Sequence, residues 1–172
     1  VPLPPAPKAH IPEIRYSVVV VNQPVRDVLL AMARETKVNF DIDPSIEGAV
    51  TINAVDQTLK EILTRMARQV DITPIVRVPD LTWERISRAL DAGAQGLMLP
   101  RVEAPAEVET FVSYLKYPPA GRRGMASGLG NTDFKWVKTP DYINFINDEI
   151  LVMVQIETLA ALKNVEALAG VP

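Results

Sequence analysis

The segment TPIVRVPDLTWERISRALDAGAQGLMLP, residues 73–100, decides the fold. Thr73 to Val78 is a short run of mostly apolar residues. Trp83 to Ala92 has helical periodicity, with Ile86 and Leu90 on its inward face, and stops at Gly93. Gly96-Leu97-Met98-Leu99-Pro100 is a second apolar run. Two buried strands joined by a helix form a parallel β/α unit. The pattern continues downstream. A helix is predicted over Pro105 to Lys116, a long loop rich in glycine and proline over Tyr117 to Asp141, and a helix over Tyr142 to Asp148. A continuous apolar strand follows at Ile150 to Ile156, then a helix at Leu159 to Ala169.

Upstream the texture changes. Val1 to Pro12 holds five prolines, Pro2, Pro4, Pro5, Pro7 and Pro12, and reads as an extended tail or linker rather than a proline-recognition ligand. Ile14 to Val21 reads as a strand and Asn22-Gln23-Pro24 as a turn. Val25, Val28, Leu29, Met32 and Ala33 recur at helical spacing to about Glu35. Val38 to Ile42 alternates as a short strand, Asp43 to Gly48 turns, and Ala49 to Ala54 is a third strand. Thr58 caps a second helix, with Glu61 completing a capping box and Leu59, Ile62, Leu63 and Met66 on the buried stripe. The order is β-α-β-β-α. The expected class is therefore α/β, more exactly α+β: a tail over 1–13, a small βαββα domain over 14–72, and about three β/α units over 73–172.

Bulk properties narrow the function. The 172 residues are 48% hydrophobic, enough for a core. The net charge of −3 is spread evenly along the chain, so no basic stripe supports nucleic-acid binding. The absence of cysteine excludes disulfides and thiolate metal sites. No apolar run approaches the roughly 20 residues of a membrane span. Val1 is not preceded by a Met or a leader pattern, which fits either a removed signal peptide or an arbitrary start.

Two resemblances are carried by particular motifs. Asn22-Gln23-Pro24-Val25-Arg26-Asp27-Val28-Leu29-Leu30-Ala31-Met32-Ala33, then Asn39 to Thr51 with its Asp43-Pro44, Gly48 and Val50-Thr51, then Leu59-Lys60-Glu61-Ile62-Leu63 resemble the short N-terminal domain of secretins and TonB-dependent receptors. That resemblance implies a non-catalytic interaction module of a periplasmic ring, as in pilus assembly or type II secretion, with protein partners or self-association through exposed sheet edges. Asp41 and Asp43 alternate onto one strand face, but without a third ligand they read as a solvated turn.

Pro74 to Pro79, Ala89 to Gly96, Pro100, Tyr117-Pro118-Pro119-Ala120-Gly121-Arg122-Arg123-Gly124 and Val154-Gln155-Ile156-Glu157-Thr158 appear in the order found in the HpcH/HpaI family of class II pyruvate aldolases, and resemble it closely. The resemblance implies part of a TIM-type barrel and a divalent metal (Mg, Mn or Co) that stabilises a pyruvate enolate. Glu157 would be a metal ligand and Gln155 would hydrogen-bond beside it. Arg77 would bind the substrate carboxylate and stabilise developing charge. Arg123 and its loop would shape the mouth of the site. The family's second metal carboxylate follows a later strand, and this chain ends at Gly170-Val171-Pro172. Its His-Asp base lies in earlier units, and the only histidine here is His10. The expectation is a site incomplete as written.

Plainer readings stand beside these. Glu157 alone is a helix-start carboxylate, and Arg77 alone is a surface or ion-pair residue. The Gly124–Gly130 loop lacks the strand-before, helix-after context of a phosphate cradle. A Schiff base at Lys116 or Lys163 has no evident desolvating pocket. Three functional readings follow: a secretin-type periplasmic module carrying an aldolase fragment, taken first; a metal-dependent cytoplasmic carbon–carbon lyase acting on pyruvate or another 2-oxo acid; and an engineered chimera without activity. The two resemblances meet near Asp71-Ile72-Thr73, where a helix runs into a strand in both.

Overall fold

A computed structural model describes residues 13–128, 130–132 and 135–172. The proline-rich segment Val1–Pro12, with His10, lies outside the described residues.

The first part is built from β1 (Arg15–Pro24), α1 (Val25–Thr36), β2 (Ala49–Thr58) and α2 (Leu59–Gln69). β1 and β2 pair antiparallel, and the register shifts twice, between Tyr16 and Val18 and between Val20 and Gln23. Asn22 and Asp56 adopt left-handed backbones, with φ of 47° and 55°. Asn and Asp tolerate that region better than most residues, which suits them to these irregular positions. Tyr16, Val18 and Val20 pack against a buried cluster that includes Val28, Met32, Val50, Ile52, Ile62 and Met66.

The strand expected at Val38–Ile42 does not form; the segment is irregular. Its alternation survives in burial, because Phe40 packs on the cluster while Asn39 and Asp41 stay exposed. Lys37 ends α1 in the left-handed region, and Asp43 starts a turn by accepting the Ser45 N–H at 2.8 Å and its hydroxyl at 2.6 Å. With both ends so fixed, the segment gains no ladder partner. The same Ser45 donors hold the Asp43 carboxyl below its ordinary range.

The capping box at α2 is present as expected. Glu61 Oε2 accepts the Thr58 N–H at 2.7 Å, and the Thr58 hydroxyl accepts the Glu61 N–H at 3.3 Å. Thr58→Ala is expected to cost about 1 kcal/mol of stability, the usual worth of a lost N-cap, and urea denaturation checks it. An unchanged midpoint would sink this account of the cap.

The second part contains β3 (Ile75–Arg77), α3 (Trp83–Asp91), β4 (Gly96–Leu99), α4 (Pro105–Leu115), α5 (Thr139–Glu149), β5 (Leu151–Val154), α6 (Leu159–Lys163) and α7 (Val165–Ala169). β3, β4 and β5 form a parallel sheet in that order. α3 ends because Gly93 takes φ 105°, which lets Gly93 N–H bond Leu90 C=O and Ala94 N–H bond Ala89 C=O. This left-handed closure satisfies carbonyls the helix would otherwise orphan. The single helix expected at Leu159–Ala169 is broken at Asn164, whose side-chain amide donates to the Glu103 carbonyl at 3.0 Å.

Parallel neighbours in register share a face. Val76, Leu97, Leu99, Val152 and Val154 turn toward the helices, in a core with Ile86, Leu90, Phe111 and Leu115. Ile75, Arg77, Met98, Leu151 and Met153 turn the other way. That face stays partly open, with Ile75 43% and Leu151 42% exposed. The two parts touch where Arg68 Nη1 donates to the Gly130 carbonyl at 2.5 Å.

Candidate functional site

The open face is polar only at the C-terminal ends of its strands. Arg77 closes β3. Gln155 lies one residue past β5, and its N–H donates to the Leu99 carbonyl at 2.9 Å, extending the ladder. Arg77 pairs in register with Met98, and Met98 with Met153, so Gln155 is the next residue on the same face. Arg77 Nε–H donates across β4 to Gln155 Oε1 at 2.7 Å. That bond fixes one edge of the guanidinium, whose other donors have no partner among the described residues and present the fork geometry that suits a carboxylate.

Glu157 follows two residues later. It precedes α6, which Thr158 caps by accepting the Ala161 N–H at 3.1 Å. Glu157 Oε2 accepts the backbone N–H of Arg101 at 2.9 Å. Arg101 directly follows Pro100 at the end of β4, with φ 54°. A left-handed conformation costs a residue other than glycine about 1–2 kcal/mol, so the turn is held by its surroundings, this bond among them. Sequence reasoning missed Arg101. The signal was its place just beyond the C-terminal end of a barrel-type strand, where chemistry gathers.

The structure thus brings together Arg77, Gln155 and Glu157, joined by Arg101. It does not bring Arg123 to them. Arg123 is 4% exposed and lies over the Tyr117 ring at 4.7 Å, with Nη2 3.5 Å from Asp91 Oδ1. Asp91 ends α3, just before the chain enters β4, so Arg123 sits at the N-terminal end of the strands. The loop after α4 folds back on that helix, as Arg122 N–H bonds Ser113 C=O and Arg123 N–H bonds Lys116 C=O. Beside it, burial pushes the Tyr142 phenol up to about 12, and its hydroxyl donates to the Asn131 carbonyl at 2.9 Å. Lys116 shares this far end, and Lys163 is exposed on the last turn of α6.

Glu157 suits a hard divalent cation, since one oxygen takes the Arg101 N–H and the other has no hydrogen bond among the described residues. Among the described residues no group of three or more His, Asp or Glu side chains is placed to enclose a metal. The residues present therefore fit one carboxylate of a metal site and the groups around it.

Three parallel strands in chain order with helices on one face form a mixed α/β arrangement consistent with part of a β/α barrel. The model of the family described as HpcH/HpaI aldolase/citrate lyase matches residues 38–172. The chain belongs to that family. It is 36% identical over 126 residues to a hydroxypyruvate/pyruvate aldolase of Deinococcus radiodurans, covering 73% of this chain and 44% of that protein. It is 42% identical over 98 residues to a 4-hydroxy-2-oxo-heptane-1,7-dioate aldolase of Klebsiella pneumoniae, covering 57% and 37%. The fold is similar to the crystal structure of an HpcH/HpaI aldolase from Desulfitobacterium hafniense, with a TM-score of 0.62 and 33% identity over 64% of this chain and 42% of that one. The chain spans less than half the length of these curated relatives.

The family match begins at residue 38 and so takes in β2 and α2, which the secretin resemblance assigned to a separate unit. That resemblance gains no support from these comparisons, and the periplasmic-ring and pilus readings, resting on it alone, lose their basis. The periplasmic location goes with them. Among the described residues no helix is long and apolar enough to cross a membrane.

Proposed function

We propose that residues 73–172 carry the 2-oxo acid-binding half of a metal-dependent class II aldolase site, of the kind that makes or cleaves carbon–carbon bonds through a pyruvate enolate. The observation that carries this reading is the Arg77–Gln155 bond at 2.7 Å on the face and strand end where Glu157 stands. Arg77 binds the 2-oxo acid carboxylate through its free guanidinium donors. Gln155 fixes the plane of that guanidinium and so the orientation of the bound acid. Glu157 offers its remaining oxygen to a divalent cation. When bound, such a cation acts as a Lewis acid on the keto oxygen. The relatives named as pyruvate and 4-hydroxy-2-oxo acid aldolases support the substrate class, and the same site favours this reading over a non-catalytic module.

Titration with pyruvate, with and without Mn2+, followed by ligand NMR, tests it. Weak metal-dependent binding is expected. Glu157→Gln should remove the metal dependence, and Arg77→Met should weaken pyruvate about 10- to 100-fold while leaving Mn2+ bound, the loss expected for a charge-assisted pair. Pyruvate that fails to bind under either condition, or binding indifferent to both substitutions, would overturn the proposal. Self-association is a separate expectation. β1 and β2 pair only with each other, and β3 and β5 each pair only with β4, so four strand edges lack partners among the described residues. Sedimentation velocity should show species above 18.9 kDa, and a strict monomer would exclude it.

A further inference from the structure

We propose that the groove between α1 and the free edge of β1 is a peptide-docking site, which takes an extended segment carrying two basic side chains four residues apart. The family match begins at residue 38, so neither element that builds this groove falls within it. β1 pairs with β2 alone among the described residues. Successive residues of a strand point their N–H and C=O groups to opposite edges, so alternate residues of β1 offer unpaired groups along its outer edge. The two register shifts lie toward the ends of the pairing and leave Val18, Val19 and Val20 regular. β1 holds no lysine, and its only proline is its last residue, Pro24. The usual devices that blunt an edge are therefore missing from its middle.

Beside that edge lies a cavity of about 580 Å3, to which Tyr16, Val18, Val28 and Met32 give apolar surface. A strand added there gains a ladder on one side and apolar contacts beneath it, as in strand addition to a sheet edge. The α1 wall is the row Asp27, Ala31 and Glu35, all three exposed. Neither carboxylate has a hydrogen bond or ion pair among the described residues. Arg15, the cation of the groove, is turned to the Asp56 carbonyl, to which it donates at 2.7 Å. From Asp27 to Glu35 the helix rises about 12 Å, and four residues of strand span about 13 Å. The first, third and fifth residues of an added strand share a face. Basic side chains at the first and fifth meet the two carboxylates, and an apolar one between them lies over Ala31. A second copy suits the groove poorly, because pairing β1 with its counterpart sets two α1 helices side by side and confronts two rows of the same carboxylates.

The test is fluorescence anisotropy of a labelled, end-capped Lys-Thr-Val-Thr-Lys peptide titrated with the full chain. Saturable binding is expected, and a Glu-Thr-Val-Thr-Glu peptide should bind at least about tenfold more weakly, the scale of two exposed ion pairs lost. Asp27→Asn combined with Glu35→Gln should weaken the basic peptide about tenfold for the same reason. Ala31→Trp fills the groove from an exposed position and should abolish binding, with circular dichroism to show that the variant folds. Methylating the backbone nitrogen of the valine, or those of both threonines, removes donors on opposite edges of the peptide, so one pattern should cost about tenfold and the other little. The proposal is overturned if the basic peptide shows no saturable binding, or if binding ignores the carboxylate variant or folded Ala31→Trp. Equal tolerance of both methylation patterns overturns it too, since contact would then be by charge alone. If the peptide does not bind and Ala31→Trp abolishes self-association in sedimentation, the groove belongs to a second copy of the chain instead.

Discussion

Phe111→Ala should destabilise the second part of the chain by about 3–5 kcal/mol, the cost of removing a large aromatic side chain and leaving its cavity. Phe111 is fully buried, on the face of α4 that also places Val108 and Leu115 in the core. α4 packs with α3, whose Ile86, Ala89 and Leu90 are buried without remainder. The sheet beneath is three strands wide with its opposite face partly open, so among the described residues no second layer of helices covers that face to compensate for a void. The measurement is urea unfolding read by near-ultraviolet circular dichroism. Ile62→Ala is the companion. Ile62 is fully buried in the other cluster, which shares no residue with the first, and its loss should cost about 2–5 kcal/mol. Each variant is expected to move its own transition. A shift under about 1 kcal/mol in Phe111→Ala would show that α4 does not close this core, and one common transition in both variants would show that the two cores unfold together.

Where local chemistry determined structure, the sequence was readable. The Thr58–Glu61 pair fixes its helix start by itself, and Ile86 and Leu90 mark a buried stripe that no neighbour alters. Gly93 ends α3 as its freedom at positive φ requires. Alternation alone puts Gln155 and Glu157, two residues apart, on one strand face, whereas the bond from Arg77 to Gln155 joins residues on different strands and was not legible. What failed depended on distant partners. Val38–Ile42 carries a strand pattern, yet a strand needs a ladder, and nothing in those five residues says whether an edge is open to them. Asn164 reads as helix interior until its amide finds the Glu103 carbonyl far along the chain. Arg123 belongs to a motif, and a motif places a residue in a family without saying which end of the strands its loop will occupy.

That last point carries the second large effect. Gly121→Ala should cost about 3 kcal/mol or more, at the severe end of overpacking. A β-carbon at Gly121 would overlap the Lys116 carbonyl oxygen and come within 2.8 Å of the Ser113 carbonyl oxygen. Both are backbone atoms at the end of α4, so neither can rotate away. The loop would have to lift. Gly121 N–H bonds Tyr117 C=O at 3.0 Å, Arg122 N–H bonds Ser113 C=O at 2.7 Å, and Arg123 N–H bonds Lys116 C=O at 3.0 Å. Lifting the loop would strip these carbonyls of partners, which a helix end tolerates poorly, and would unseat Arg123 from the Tyr117 ring. Gly124→Ala is the control, since a β-carbon there meets nothing within 4 Å, and its effect should stay within about 0.5 kcal/mol. Because the loop lies at the opposite strand end from Glu157, whatever Gly121→Ala protein remains folded at low temperature should bind pyruvate and Mn2+ as the unaltered chain does. A folded Gly121→Ala variant that loses pyruvate would instead return Arg123 and its loop to the mouth of the site, and an effect no larger than that of Gly124→Ala would show that the loop is not seated on α4.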